Sequence, residues 1–170
     1  EDALKLVDAQ DYSGAIDAIL ATTPAFQGNS AVKQTLAGAY AGKCGLVFLT
    51  FVSGLSGATG APFSFLMKAF TSTSVSPSDC YNAQVTTEST FGTISSTRVT
   101  DTNFFLAVLG MVKIGTYLRV NADTNQDGIV DTVATVPSLS ADFDSCSSSS
   151  LSDANVIQVG TGLGLILDNI

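Results

Sequence analysis

The chain has no histidine and no tryptophan. Without imidazole there are no Ser-His or Cys-His nucleophilic pairs, and the commonest ligand of a catalytic zinc is missing. Charge is scarce as well, since Asp, Glu, Lys and Arg make up 13% of 170 residues while the apolar set reaches 45%. Cations are the rarer sign, 7 Lys and Arg against 15 Asp and Glu, for a formal net charge of -8. Such a surface repels phosphate backbones and anionic headgroups, so no nucleic-acid partner is expected. Long unbroken hydrophobic runs are also lacking. The uncharged segment from Cys44 to Met67 is interrupted by Ser53-Gly54, Ser56-Gly57, Thr59-Gly60 and Pro62. A spanning helix needs about 20 continuous apolar residues, so this segment reads as buried core and no transmembrane span is expected.

Phosphate-binding loops are missing too. The glycine-rich GLSGATGAP, Gly54 to Pro62, has no Lys and no strand before it, and GTGLGL, Gly160 to Leu165, fails as a dinucleotide fingerprint for the same contextual reason. Asp142 and Asp144 form the nearest thing to an acid/base pair, and solvation of a loop explains them better. The expectation is a protein that is not an enzyme. Its surface relies on Ser, Thr, Asn and Gln, a style that suits an exported protein. The sequence opens at Glu1 with no Met, basic region or apolar leader, which reads as a start left by removal of a signal segment.

What is present is mostly helical pattern. Leu4, Val7, Ala15, Ile16, Ile19 and Leu20 recur at helical spacing around a break at Asp11-Tyr12-Ser13-Gly14, predicting two short helices before Pro24. A third begins near VKQTLAGAYAG, and the apolar residues Leu46 to Leu55 extend it. Pro62 starts another helix through Ala69. Thr71 to Thr100, rich in Ser and Thr, reads as a long connection with at most a small hairpin near Thr86 to Val99. Thr102 to Leu118 is the clearest helix, with Thr102 as its N-cap and Gly110 and Gly115 suggesting close helix contact. Ser152-Asp153 caps a final apolar segment to Leu167, a helix weakened by Gly160, Gly162 and Gly164, with a strand as the alternative. The fold class is therefore all-α, a compact helical bundle in one domain over 1–170.

The N-terminal quarter resembles the tetratricopeptide repeat at Asp11, Tyr12, Ala15, Ile16, Pro24, Leu36, Ala37, Ala39 and Tyr40. That resemblance implies a helical hairpin packed through small residues, and a protein partner. Three cysteines remain. Cys80 and Cys146 lie in polar, turn-rich stretches and are expected to pair, leaving Cys44 buried and free. A lipid-bearing cysteine upstream of Glu1 is a further expectation of the odd count.

The densest chemistry is DTNQDGIVDT, Asp123 to Thr132, with Asp or Asn at the first, third, fifth and ninth positions. Alternating oxygens followed by a glycine turn suit a hard cation such as calcium. Asp123, Asn125 and Asp127 would offer side-chain oxygens, Ile129 its carbonyl and Asp131 a carboxylate, with Gly128 turning the chain and Val130 anchoring it. The pattern D-x-N-x-D-G-x-V-D resembles the calcium loops of EF-hands, dockerins and integrin-type β-propellers. Ala134 stands where an EF-hand places Glu and a dockerin Asp, so the shorter loop closed by Asp131 matches better. Function then reads as an exported, calcium-stabilised helical component of a cell envelope that contacts a protein partner, periplasmic or extracellular. The alternative is a carrier of an apolar small molecule or lipid within the bundle.

Overall fold

A computed structural model describes residues 2–47, 51, 53, 62–70, 74–123, 125, 127, 129–132 and 152–170. Among these residues the chain is all-α, without strand. The helices whose bounds lie within the described residues are α1 (Asp2–Asp8), α2 (Tyr12–Leu20), α3 (Pro24–Gln27), α4 (Ser30–Cys44), α5 (Pro62–Lys68), α6 (Pro77–Phe91), α7 (Thr100–Ala122) and α8 (Asp153–Asp168), with a 3-10 turn over Ser95–Thr97; Phe51 and Ser53 are helical as well.

Helix α7 is the axis. Leu106, Leu109, Val112 and Ile114 are fully buried along it, and α4, α5, α6 and α8 pack around them. Its 23 residues are long and apolar enough to cross a membrane by length and composition, yet 67% of its most apolar window is covered by the rest of the chain. Such burial is what a core helix shows. Contact with α8 is made by glycine: a Cβ on Gly110 would lie 2.6 Å from the Gly162 carbonyl oxygen, and one on Gly162 would lie 2.8 Å from Ile114 Cγ1. Only residues without a side chain let the two backbones approach so closely. Gly162 thus serves the helix it was expected to weaken, and the strand alternative for this segment is not adopted. Ser152 caps α8 as expected, its Oγ accepting from the Asn155 N–H at 3.3 Å.

A smaller cluster of Ala15, Ile16 and Ala39 seats the α1–α2 hairpin on α4, and Tyr40 joins it to the main core. Asp11 caps α2 by accepting from the Gly14 N–H at 3.0 Å.

Three expectations are corrected. Helix α4 does not run on to Leu55. It stops at Cys44, where Gly45 takes φ 126°, and the Leu46 N–H bonds back to the Ala41 carbonyl. A left-handed glycine closing the last turn ends a helix whatever the hydrophobicity beyond it. Thr71 to Thr100 is not a connection, because it contains the 15-residue α6. Pro77 opens that helix, and the hydroxyls of Thr87, Ser89 and Thr90 bond to carbonyls three or four residues earlier, so its polar side chains are satisfied without leaving the helix. Thr102 lies inside α7, buried, while Val99 is the N-cap.

The cysteine pairing also differs. Cys44 at the end of α4 is bridged to Cys80 in the first turn of α6, with Cα atoms 5.0 Å apart and both residues fully buried. Two antiparallel helix ends meeting in the core bring these thiols together, which turn-rich surroundings in the sequence do not reveal. Cys146 lies outside the described residues.

Candidate functional site

The acidic loop begins where α7 ends. Asp123 is its C-cap, fully buried, and the chain returns so that the Asp131 N–H donates to the Ala122 carbonyl at 2.8 Å. This single bond brings the first and ninth loop positions together. Asp131 is buried as well, 1% exposed. Between them Asn125 and Asp127 are exposed, but their oxygens turn back into the loop. The Asp127 N–H donates to Asp123 Oδ1 at 3.0 Å and to Asn125 Oδ1 at 3.2 Å, and the Ile129 N–H donates to Asp127 Oδ1 at 2.8 Å. Ile129 is half exposed, Val130 half-buried, and Gly128 lies outside the described residues.

Of the five expected ligands, the fold brings Asp123, Asn125 and Asp127 into one hydrogen-bonded turn and places Asp131 against its base. Among the described residues, no group of three or more His, Cys, Asp or Glu side chains forms a ready cluster for a metal. Arg119, 4% exposed and one turn before Asp123, contributes a guanidinium to the same end of α7; Arg119, Asp123 and Asp131 all have partners. The donor set is oxygen only and suits a hard cation. In a calcium-loaded form, Asp123, Asn125, Asp127 and Asp131 would hold the ion with their side chains and Ile129 with its carbonyl.

Midway along α7 lies a residue with no place in the sequence reading. Lys113 is fully buried, and its Nζ donates to Gln84 Oε1 of α6 and Thr161 Oγ1 of α8, each at 2.7 Å. The ring of Tyr81 lies 5.7 Å away. Burial pushes the amine down to about 8, and Glu88 partly opposes this. A lone cation inside TNFFLAVLGMVKIGTYL was the available signal, because an apolar helix buries a charge only where neighbours supply polar partners.

Near the other end of α7, a cavity of about 380 Å³ opens between α4, α6 and α7, lined by Ala37, Gly38, Thr87, Phe91, Thr102 and Phe105 among others. Asp101 stands at its rim. Asp79, by contrast, is structural: it accepts from Ser76 Oγ at 2.6 Å and pairs with Lys43 at 3.6 Å, fastening the first turn of α6. No known protein family, curated protein or solved structure matches this chain.

Proposed function

We propose that the chain is an exported, non-enzymatic helical protein of a cell envelope or extracellular space, whose loop over Asp123 to Asp131 is a calcium clamp and whose repeat-like N-terminal hairpin meets a protein partner. The observation that carries the clamp is that Asp123 and Asp131, the first and ninth loop positions, are both buried where the Asp131 N–H bonds back to the Ala122 carbonyl. Three carboxylates crowded within nine residues of a chain poor in charge repel one another, which favours a bound cation. Outside the cell, millimolar calcium fills even a modest site, which favours a structural role over sensing.

Export is supported by the Cys44–Cys80 bridge, since disulfides persist mainly in oxidising compartments. Attachment through a lipid upstream of Glu1 is part of the same reading. Calorimetric titration tests the clamp: calcium should give a saturable heat, magnesium a much weaker one because it demands a tighter octahedral cage. Absence of calcium heat, with melting indifferent to chelator, would remove the clamp from this account.

A second reading, a carrier of an apolar small molecule, is supported by the cavity between α4, α6 and α7. Its volume falls within the roughly 300 to 1,000 Å³ typical of small-ligand pockets.

A further inference from the structure

We infer that the groove between α4, α6 and α7 binds a small cationic amphiphile, with the apolar body between Phe91 and Phe105 and the ammonium head against Asp101. This rests on the carrier reading and gives it a ligand class.

The walls define the body. Phe91 and Phe105 are half-buried, and Ala37 is buried beneath them. Apolar and aromatic walls of this kind remove a hydrocarbon chain or ring from water. Space for it exists at the backbone of α4, because a Cβ built on Gly38 meets nothing within 4 Å. That differs from Gly110, Gly115 and Gly162, where a side chain would strike neighbouring helices.

The polar groups define the head. Asp101 is the only charged residue lining the groove among the described residues. A carboxylate accepts hydrogen bonds and cannot donate them when ionised. Thr87 points the same way: its hydroxyl hydrogen is given to the Ala83 carbonyl at 2.8 Å, leaving the oxygen to accept. The nearest cation in sequence, Arg98, is committed elsewhere, to the Gly92 carbonyl and the side-chain oxygens of Asn103 and Asn169. An ammonium group matches these acceptors. A carboxylate head meets repulsion at the same rim, as it does from the net charge of -8.

The site is separable from the acidic loop. Asp101 and Asp123 sit at opposite ends of α7, roughly 33 Å apart at 1.5 Å per residue. Binding here should therefore be indifferent to chelator.

Isothermal titration with decylamine, decanol and decanoate, equal in chain length and different in head, tests the inference. Decylamine should bind about fivefold more tightly than decanol, the scale of one partly exposed charge pair, and decanoate more weakly than either. Asp101→Asn should bring decylamine to within about twofold of decanol without altering decanol binding. Gly38→Leu, whose side chain enters the groove, should weaken every probe by at least about tenfold, the loss that follows when a pocket is filled. Gly160→Leu, on α8 and equally unobstructed, should bind like the parent. Decanol or decanoate binding as tightly as decylamine overturns the cationic head while leaving the carrier reading in place. No binding by any probe, or equal binding by the two glycine variants, overturns both. Asp101→Asn is an exposed change that does not threaten folding, so the head-group test holds even if Gly38→Leu proves unstable.

Discussion

Lys113 places a cation in the middle of the core, and the consequence is a stability that depends on alkaline pH. Its amine titrates near 8 in the fold against 10.5 in the unfolded chain, chiefly because burial disfavours the charge. Between those values the unfolded chain holds a proton that the native protein has released. Stability therefore rises with pH from about 8 upward, by at most about 1.4 kcal/mol per unit, and the cost of burying the charge is felt in full below 8. Tyr40 and Tyr117, whose phenols burial pushes up, work in the opposite sense once the unfolded tyrosines ionise near 10. The expected rise is confined to roughly pH 8 to 10. Urea unfolding at several pH values should show it, and Lys113→Met should flatten it; parallel slopes in the two proteins would refute the assignment. The facing groups are Gln84, Tyr81 and Glu88 on α6 and Thr161 on α8, and Glu88 is the only carboxylate among them. At the same scale, peptide mapping without reductant should recover Cys44 joined to Cys80. Replacing both by Ser should lower stability by about 2 to 4 kcal/mol. A Cys80–Cys146 peptide would contradict the fold's pairing.

Helix contacts decide which glycines matter. Gly110→Ala should destabilise by about 1 to 3 kcal/mol, because the added methyl meets the Gly162 carbonyl and Leu165 Cβ, and overpacking outweighs the improved helix propensity. Gly38→Ala should instead stabilise by up to about 1 kcal/mol, since its methyl enters open space and only the propensity gain remains. Opposite shifts in melting temperature for two mid-helix substitutions of the same kind would follow; equal shifts would not. The difference between the two positions is invisible in the sequence, where both are glycines in apolar helices. Much else was legible. Periodicity marks α2, α4, α7 and α8, whose buried residues lie on faces that repeat near 3.6 residues; α1 carries the same spacing although none of its residues is buried, and Pro62 marks α5. Helix α6 was not legible, since Ser and Thr normally compete with helix backbone, and only the fold shows their hydroxyls bonded to carbonyls of the same helix. The end of α4 was hidden for a related reason. Hydrophobicity continues past Cys44, and the stop lies in the φ of Gly45, a conformational fact that composition does not carry. For the acidic loop, residue types and order were legible at once. What the fold adds is that Asp123 and Asp131 are buried together while Asn125 and Asp127 stay at the surface.

A chain with a net charge of -8 repels itself, and this sets the background against which calcium must be judged. Sodium chloride raised from about 10 to about 150 mM shortens the screening length from about 30 to about 8 Å, so it should raise the melting temperature of any compact form of this chain. Calcium does this too, and a rise alone would not distinguish a clamp from general screening. Matched ionic strength separates them. If the loop binds calcium only when folded, a hundredfold excess over the dissociation constant adds about 2.7 kcal/mol. For a protein of this length that corresponds to roughly 5 to 10 °C beyond the sodium control. Asp127→Ala should lose most of that excess and keep the sodium response. Asp17→Ala, which removes the same charge from the exposed face of α2, should keep both. Asp127 is the informative choice because its side chain is exposed and holds the Ile129 N–H, so its loss removes an oxygen ligand without emptying the core beneath Asp123 and Asp131. Should calcium and sodium raise all three proteins equally at equal ionic strength, the acidic loop is a hydrogen-bonded turn whose charges act only through the field of the whole molecule.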